Sequence, residues 1–379
     1  MSIDLYRSAR ALLLVGALVV ASCGGDRPSE AGGVGKDAKK GSAKPGVTPA
    51  GDTSAADAAA PGGSAAAFAT GTPVSDSTVR FSFGLRPKVG DRFTYRLRTD
   101  NETDFGGKRM QESSVYNFTI GVTGLNDDGS MTIEMIHDSI RIRRAYDAGL
   151  VDSVARTIAF DSRRPDTSVK GTEQFRALIG KRVNMTLGRD GQVSEVSNVD
   201  PVLNAMFGSQ RDKVPPKTWE QFREVVKIQA YSSILEQLFL KEPPDSSVAP
   251  GAAWTRTYNV PALGIPSKNT VRYRLAEVRQ VGGRPMGRVA MVLSTQFLQK
   301  KIDNELVSAT VDDMKADGSG EAVMQLDNGW PTRKATTIEM RMKMTGTAKV
   351  GPEKGKSNTL SQAVATRLVV DLMSFTAGS

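Results

Sequence analysis

Few residues in this chain can do chemistry. There is one histidine, His137, followed by Asp138, and one cysteine, Cys23. A Ser/His/Asp nucleophilic site would need that single imidazole to be oriented by a carboxylate and to reach a hydroxyl. A zinc site would need several more nitrogen or sulfur ligands than the chain can supply. His137 lies in a strand-like stretch, so it is expected to be a strand side chain satisfied by a neighbour or by water. Carboxylates come together at Asp127-Asp128, at Asp312-Asp313 and from Asp100 to Asp104. The first pair sits in a turn, where Asp serves backbone geometry, and no EF-hand spacing accompanies any of them. There is no P-loop, no GxGxxG after a strand, no Gly-x-Ser-x-Gly and no HExxH. The expectation is a protein that is not an enzyme, with no cofactor and no metal. A carboxylate-dependent hydrolase stays open as an alternative, because such pairs are assembled in space rather than in sequence.

The chemistry with the most specific setting belongs to Cys23. Arg7 and Arg10 precede an apolar run from Ala11 to Val20, and Val20-Ala21-Ser22-Cys23 follows at once. The run is about half the ~20 residues that a membrane-spanning helix needs, which fits a secretory signal. Small residues directly before a cysteine resemble the lipobox of bacterial lipoproteins. The resemblance implies cleavage before Cys23 and a thioether from its sulfur to diacylglycerol, hence a membrane partner through that anchor. It also implies the outer membrane, facing the periplasm, because Gly24 and Gly25 stand where an aspartate would signal inner-membrane retention. The plainer reading is an ordinary signal peptide with an incidental cysteine. Either way the address is the cell envelope, and a single cysteine permits no disulfide within the chain.

Residues 24–78 are dominated by Ala, Gly, Ser, Thr, Pro and Asp, with Phe68 as a lone large apolar residue. Such a segment cannot bury enough surface to offset its ordering entropy and is expected to be a disordered tether. As a flexible coil of ~55 residues it would hold its ends ~40 Å apart. The expected organisation is a signal over 1–22, Cys23 and the tether over 23–78, and a folded domain over 79–379. Lys and Arg number 50 against 41 Asp and Glu, a formal charge of +9. The basic bursts Arg141–Arg144 and Arg163-Arg164 are too short to point to nucleic acid, which is not expected as a partner.

From Val79 the pattern changes to alternation of apolar and polar residues, the period of half-buried strands. It runs through Val79–Phe83, Phe93–Leu97, Val115–Val122, Met131–Ile136, Val271–Leu275, Met286–Leu293 and Thr336–Met344. Between strands lie turn signals at Asn126–Gly129, Arg189–Gly191, Gly282–Pro285 and Asp327–Gly329. A short helix is predicted from Asp200-Pro201 to Gly208. A longer one is predicted to run from Pro215-Pro216 to Pro243-Pro244, with Thr218 and Gln221 as a capping box. The fold class is mainly β (α+β): a large curved antiparallel sheet or partly closed barrel. It is made of two similar units, about 79–198 and 250–375, with the helices between them over about 199–242. Val89–Thr94 has a counterpart in Pro250–Thr255, and Met185–Leu187 with its turn has one in Met324–Leu326 with its turn. The glycine-led start of an aromatic strand, the Gly-x-Val-x-x-Val of Gly191–Val196 and the Gly-x-x-Trp of Gly251–Trp254 resemble the uncharacterised bacterial lipoproteins grouped as domain of unknown function 6263. The resemblance implies location and architecture over Val79 to the C-terminus, and no activity.

Function is expected to be non-catalytic. One hypothesis is a binding module in which the long helix lies over the concave sheet and its stripe of Trp219, Phe222, Val226, Ile234 and Leu238 holds a lipid or other amphiphile. The blander reading of that stripe is core packing. The alternative is a structural or assembly lipoprotein that docks to another envelope protein through a sheet edge or a basic face. An apolar cavity of several hundred Å³ would separate the first from the second.

Overall fold

The computed structural model describes residues 68–76, 78–147, 157–164, 172–240, 247–262, 265–298, 300–303, 307–348, 355 and 357–378. The signal segment, Cys23 and the tether up to residue 67 lie outside the described residues. Among the described residues fourteen strands form one antiparallel sheet that does not close into a barrel. They are β1 (Thr72–Pro73), β2 (Arg92–Phe105), β3 (Arg109–Leu125), β4 (Met131–Tyr146), β5 (Thr157–Asp161), β6 (Arg182–Leu187) and β7 (Val193–Ser197). After the helices come β8 (Ala253–Ala262), β9 (Ile265–Val281), β10 (Arg284–Phe297), β11 (Lys301–Asp303), β12 (Val307–Gln325), β13 (Pro331–Ala348) and β14 (Ser357–Thr376). The main path runs β1-β9-β10-β12-β13-β14-β2-β3-β4-β6-β7, with β8 on β9, β5 on β4 and β11 on β12. Strands β2–β7, before the helices, thus form one end of the sheet and β8–β14, after them, the other, with the short β1 carried across to β9. The two ends join where β14 pairs with β2, from Gln362 opposite Phe105 to Thr376 opposite Arg92.

The predicted turns fall between β3 and β4, β6 and β7, β9 and β10, and β12 and β13, and the predicted strands from Phe93 onward lie within β2, β3, β4, β9, β10 and β13. Gly191 (φ 80°) and Gly329 (φ 77°) occupy the left-handed region that only glycine enters freely. A Cβ on either would also lie 2.6 Å from a neighbour, Phe239 Cβ and Gly84 O respectively.

Four short helices cover one face, called the inner face below. They are α1 (Glu173–Leu178), α2 (Asp200–Phe207), α3 (Pro216–Val226) and α4 (Ser233–Leu238), with a π-helical turn over Lys227–Ser232 between the last two. The short predicted helix is α2, with Pro near its start and Gly208 after it. The long one differs from expectation in two ways. Pro216 opens it with Pro215 at the cap and no side-chain cap bond, so Thr218 lies within its first turn and the Thr218–Gln221 capping box does not form. Proline at the first helical position has no N–H to satisfy and its φ is already helical, so the helix begins without that device. The π-turn then interrupts the apolar stripe at Tyr231. α1, six residues long, carries too short a pattern to be read from periodicity.

Two further corrections concern the start of the domain. Val79–Phe83 is not a sheet strand: it makes one bridge, Phe81 with Val248. Its alternation has another cause, since Phe81, Phe83 and Leu85 all point into the core. The backbone amides of Leu85 and Arg86 bond to Arg189 O and Asn328 O, so the segment straps the β6–β7 turn to the β12–β13 turn. Packed and paired residues also precede Val79. Phe68 is buried against Met286 and Val323, and β1 pairs with Arg279 and Gln280 of β9.

Trp330 sits where these parts meet. It is fully buried, stacks on Phe93 of β2 at 3.8 Å between ring centroids, and meets the edge of Phe239 at the end of α4. Trp330→Ala is expected to lower the free energy of unfolding by about 3–5 kcal/mol, read from urea denaturation. Trp330→Phe should lose much less, because Trp330 Nε1 is buried without a hydrogen-bond partner and the smaller ring removes that unsatisfied donor.

Candidate functional site

The helix stripe singled out in the sequence is core. Phe222, Val226, Ile234 and Leu238 are buried in one cluster with inward side chains of β2, β3, β4 and β6, and Trp219 packs on its margin. Trp219 tilts against Phe207 at 5.6 Å, and the Arg211 guanidinium lies 5.4 Å from its ring centre. The stripe therefore fills the space between helices and sheet, which corrects its reading as a ligand-holding face. The reason is geometric: strands β2–β4 carry large inward residues (Phe93, Tyr95, Phe118, Ile120, Ile133, Met135), and these occupy the volume that a cavity would need.

His137 lies beneath the π-turn. It is fully buried, its Nε2 is 3.2 Å from Ala230 O, and its ring contacts Tyr231, Tyr116 and Phe118. A bulge in β4 beside it shifts the register with β3, so that inward positions change from odd to even numbers after His137. The Nδ1 of His137 and the hydroxyl of Tyr231 have no hydrogen-bond partner. Burial lowers the His137 pKa to about 4, the Ala230 carbonyl opposing this slightly. The aromatic surroundings suit a neutral imidazole that joins strand to helix layer. Among the described residues no three His, Cys, Asp or Glu side chains are grouped to hold a metal.

Beyond the helices the inner face continues over β10, β12, β13, β14, β2, β3 and β4, and its content changes from one side to the other. One row, read across paired residues, runs Val271–Leu293–Gly318–Ile338–Thr366–Asn101–Glu112–Arg144. It passes from aliphatic through uncharged polar to charged. Leu293, Gly318, Ile338, Thr366 and Asn101 are half-buried. The next row places Ala316, Met340 and Val364 side by side, buried, with Phe297 and Met314 packed on them in a cluster built of strand residues. At the polar end Arg144 bonds Glu112 through both Nε and Nη2, with both side chains less than a tenth exposed. Arg144 Nη1 also reaches Tyr146 Oη at 3.3 Å. Burial works to lower the Arg144 pKa, but Glu112 and Tyr146 together raise it above its ordinary value. Ser114, fully buried two residues along β3 from Glu112, has no partner for its hydroxyl.

A separate open pocket of about 390 Å³ lies at the far end of β3 and β4, lined by Gly107, Arg109, Gln111, Ala145, Tyr146 and Asp147. Its lining is polar, and Gln111 and Ala145 have the parity of the outer face, so it is not the apolar cavity anticipated for a carrier. Sequence reasoning missed the graded inner face. Single strands show only alternation, and the gradient exists only after residues far apart in the chain are brought into register.

Residues 128–283 match the profile of a family of unknown function (DUF6263). This bears out the resemblance read from Gly191–Val196 and Gly251–Trp254, which lie within that span; β2, β3 and β10–β14 lie outside it. No curated protein matches the chain. Among solved structures, lipovitellin, determined for its lipid–protein interactions, is similar at 12% identity and a TM-score of 0.40 over 78% of this chain. The chain spans only 26% of lipovitellin's length. An outer membrane channel from Pseudomonas putida F1 is similar at 8% identity and a TM-score of 0.20, over 75% of this chain and 97% of that one. A DUF1329 family protein from Desulfovibrio piger is similar at 9% identity and a TM-score of 0.14, over 75% of this chain and 85% of that one.

A pH dependence follows from His137. The folded chain keeps it neutral down to about pH 4, whereas the unfolded chain protonates it near 6.5. Stability from this group is therefore complete above pH 6.5 and is lost as pH falls toward 4, by about 3 kcal/mol in all. Urea midpoints at pH 7.5 and 4.5 should diverge more for the native chain than for His137→Leu. Equal divergence would show that the imidazole is not held neutral.

Proposed function

We propose that this chain is a non-catalytic lipoprotein of the bacterial cell envelope, anchored through Cys23, that holds an amphiphile on the helix-free part of its inner sheet face. The observation that carries the binding reading is the graded row from Val271 and Leu293 to Glu112 and Arg144. Apolar side chains on one half and hydrogen-bonding ones on the other match a molecule with an acyl chain and a polar head. Met314 and Met344, half-buried, supply flexible apolar surface on the strands that would meet the chain. The half-buried state of Leu293 and Ile338 leaves apolar surface for a ligand to cover.

The anchor reading rests on Val20–Cys23 and its apolar lead. Among the described residues no helix is long and apolar enough to cross a membrane, so the Cys23 thioether is the proposed means of attachment, with the outer membrane as the proposed site. Docking to another envelope protein is the second reading. It is favoured by β8, which among the described residues pairs only with β9 and presents an edge to which an extended segment can add.

Full-length chain bearing Cys23→Ser, exported and purified without detergent, is expected to carry lipid extractable by organic solvent or to take up added monoolein in native mass spectrometry. Ile338→Asn should reduce uptake at least tenfold with a melting temperature close to that of the parent. A chain with no extractable lipid and no uptake would remove the binding reading. In the native chain, metabolic labelling with palmitate should mark the protein, and Cys23→Ser should abolish the label.

A further inference from the structure

We infer that the polar end of the inner face accepts an uncharged, hydrogen-bonding head group, a polyol or amide on a single acyl chain, in preference to a carboxylate or phosphate. This rests on the reading of the inner face as an amphiphile site and adds the class of head group.

The reason is the charge balance at Arg144. Its guanidinium gives two of its faces to Glu112 and a third N–H to Tyr146. The pair is neutral as a unit and less than a tenth exposed. An anionic head at this end would either lie against the Glu112 carboxylate or displace it from Arg144. Both outcomes leave a buried charge without its partner, which a low-dielectric site strongly opposes. The other basic residues of β4 near this position, Arg141 and Arg143, have the parity of the outer face and do not offer a substitute.

Uncharged hydrogen-bonding groups, by contrast, surround the pair. Asn101 and Thr366 precede Glu112 in the same row and stay half-buried. Thr99 and Ser114 face each other in the adjacent row, and the Ser114 hydroxyl is fully buried with no partner. Both are covered by the protein's own atoms, so the groups open to a head group are the half-buried Asn101 and Thr366. From Glu112 the row crosses five strand spacings to Leu293, roughly 24 Å, a length suited to a long acyl chain lying across the strands.

The test compares three probes with the same oleoyl chain on the full-length Cys23→Ser protein by titration calorimetry near pH 8: monoolein, oleate and lysophosphatidylglycerol. Monoolein is expected to bind at least tenfold more tightly than either anion. Glu112→Gln should raise oleate affinity tenfold or more, because Arg144 then lacks its counter-charge. Asn101→Ala should weaken monoolein severalfold with a melting temperature close to that of the parent, since the amide it removes is half-buried beside Glu112. Should Glu112→Gln fail to fold, the probe ranking and Asn101→Ala decide. Equal binding of oleate and monoolein to the parent would overturn the head-group inference and leave amphiphile binding intact. So would an unchanged ranking in Glu112→Gln, or an unchanged monoolein affinity in Asn101→Ala. Failure of all three probes would overturn the amphiphile reading itself.

Discussion

The pairing of β14 with β2 is the constraint on which the rest of the structure depends. Among the described residues it is the long ladder that joins strands before the helices to those after them, the pairing of β1 with β9 spanning only two residues, and it sets β14 beside the first long strand. Without it each half would have an unpaired edge at its widest point, and edges of that kind invite association with other chains. Asp91 fixes the end of the ladder. Buried, it accepts the Gly378 amide on one carboxylate oxygen and the Lys88 amide on the other. A side chain at position 378 would collide with Val89 O, so this closure requires glycine there. Contacts so distant in sequence form only after a large loop has been closed, so the halves must find each other late and slowly.

Once the ladder is formed, the inner face is divided by what can cover it. Over β2–β4 and β6 the helices supply Phe222, Val226, Ile234, Leu235 and Leu238, and the core there is continuous. Over β9, β10 and β12 the cover is the strap from Phe81 to Phe83 with Leu240, set on Tyr273, Leu275 and Met324. Lys334 of β13 ties the sheet to the helical cover by donating to Phe239 O at the end of α4, a cation placed at a helix C-terminus. The strands are longer than either cover. Their far halves, beyond Leu368 and Thr99, carry the graded row and, beside it, the small cluster of Ala316, Met340 and Val364 with Phe297 and Met314 packed on it.

The fold was largely legible because alternation and turn residues are local signals. Arg189–Gly191 and Asp327–Gly329 announce hairpins through residues that tolerate positive φ, and Pro201 with Gly208 brackets α2. What escaped did so for physical reasons. Val79–Phe83 alternates because three side chains reach inward, while its backbone bonds go to two turns rather than to a strand. The helix from Pro216 needed no capping box, so the Thr218–Gln221 spacing was without consequence. The bulge at His137 re-phases β4, and nothing in the local run of residues marks it. The candidate site was less legible still. Glu112 and Arg144 face each other only through the β3–β4 register, and Ile338 and Asn101 share a row only because β14 lies between β13 and β2.

The Arg144–Glu112 pair gains its meaning from this placement. Removed from water, two opposite charges recover in mutual attraction only part of what desolvation costs them, and apolar residues of similar volume often serve stability as well or better. Elsewhere on the inner face such residues occur: the same row carries Ile338 and Leu293, and the row before it Leu368 and Ile142. A buried ion pair at the end of an otherwise uncharged surface is therefore poorly explained by stability alone. A pair that adds little to folding, at one end of an apolar-to-polar gradient, supports the proposed reading of this face as one that meets an amphiphile.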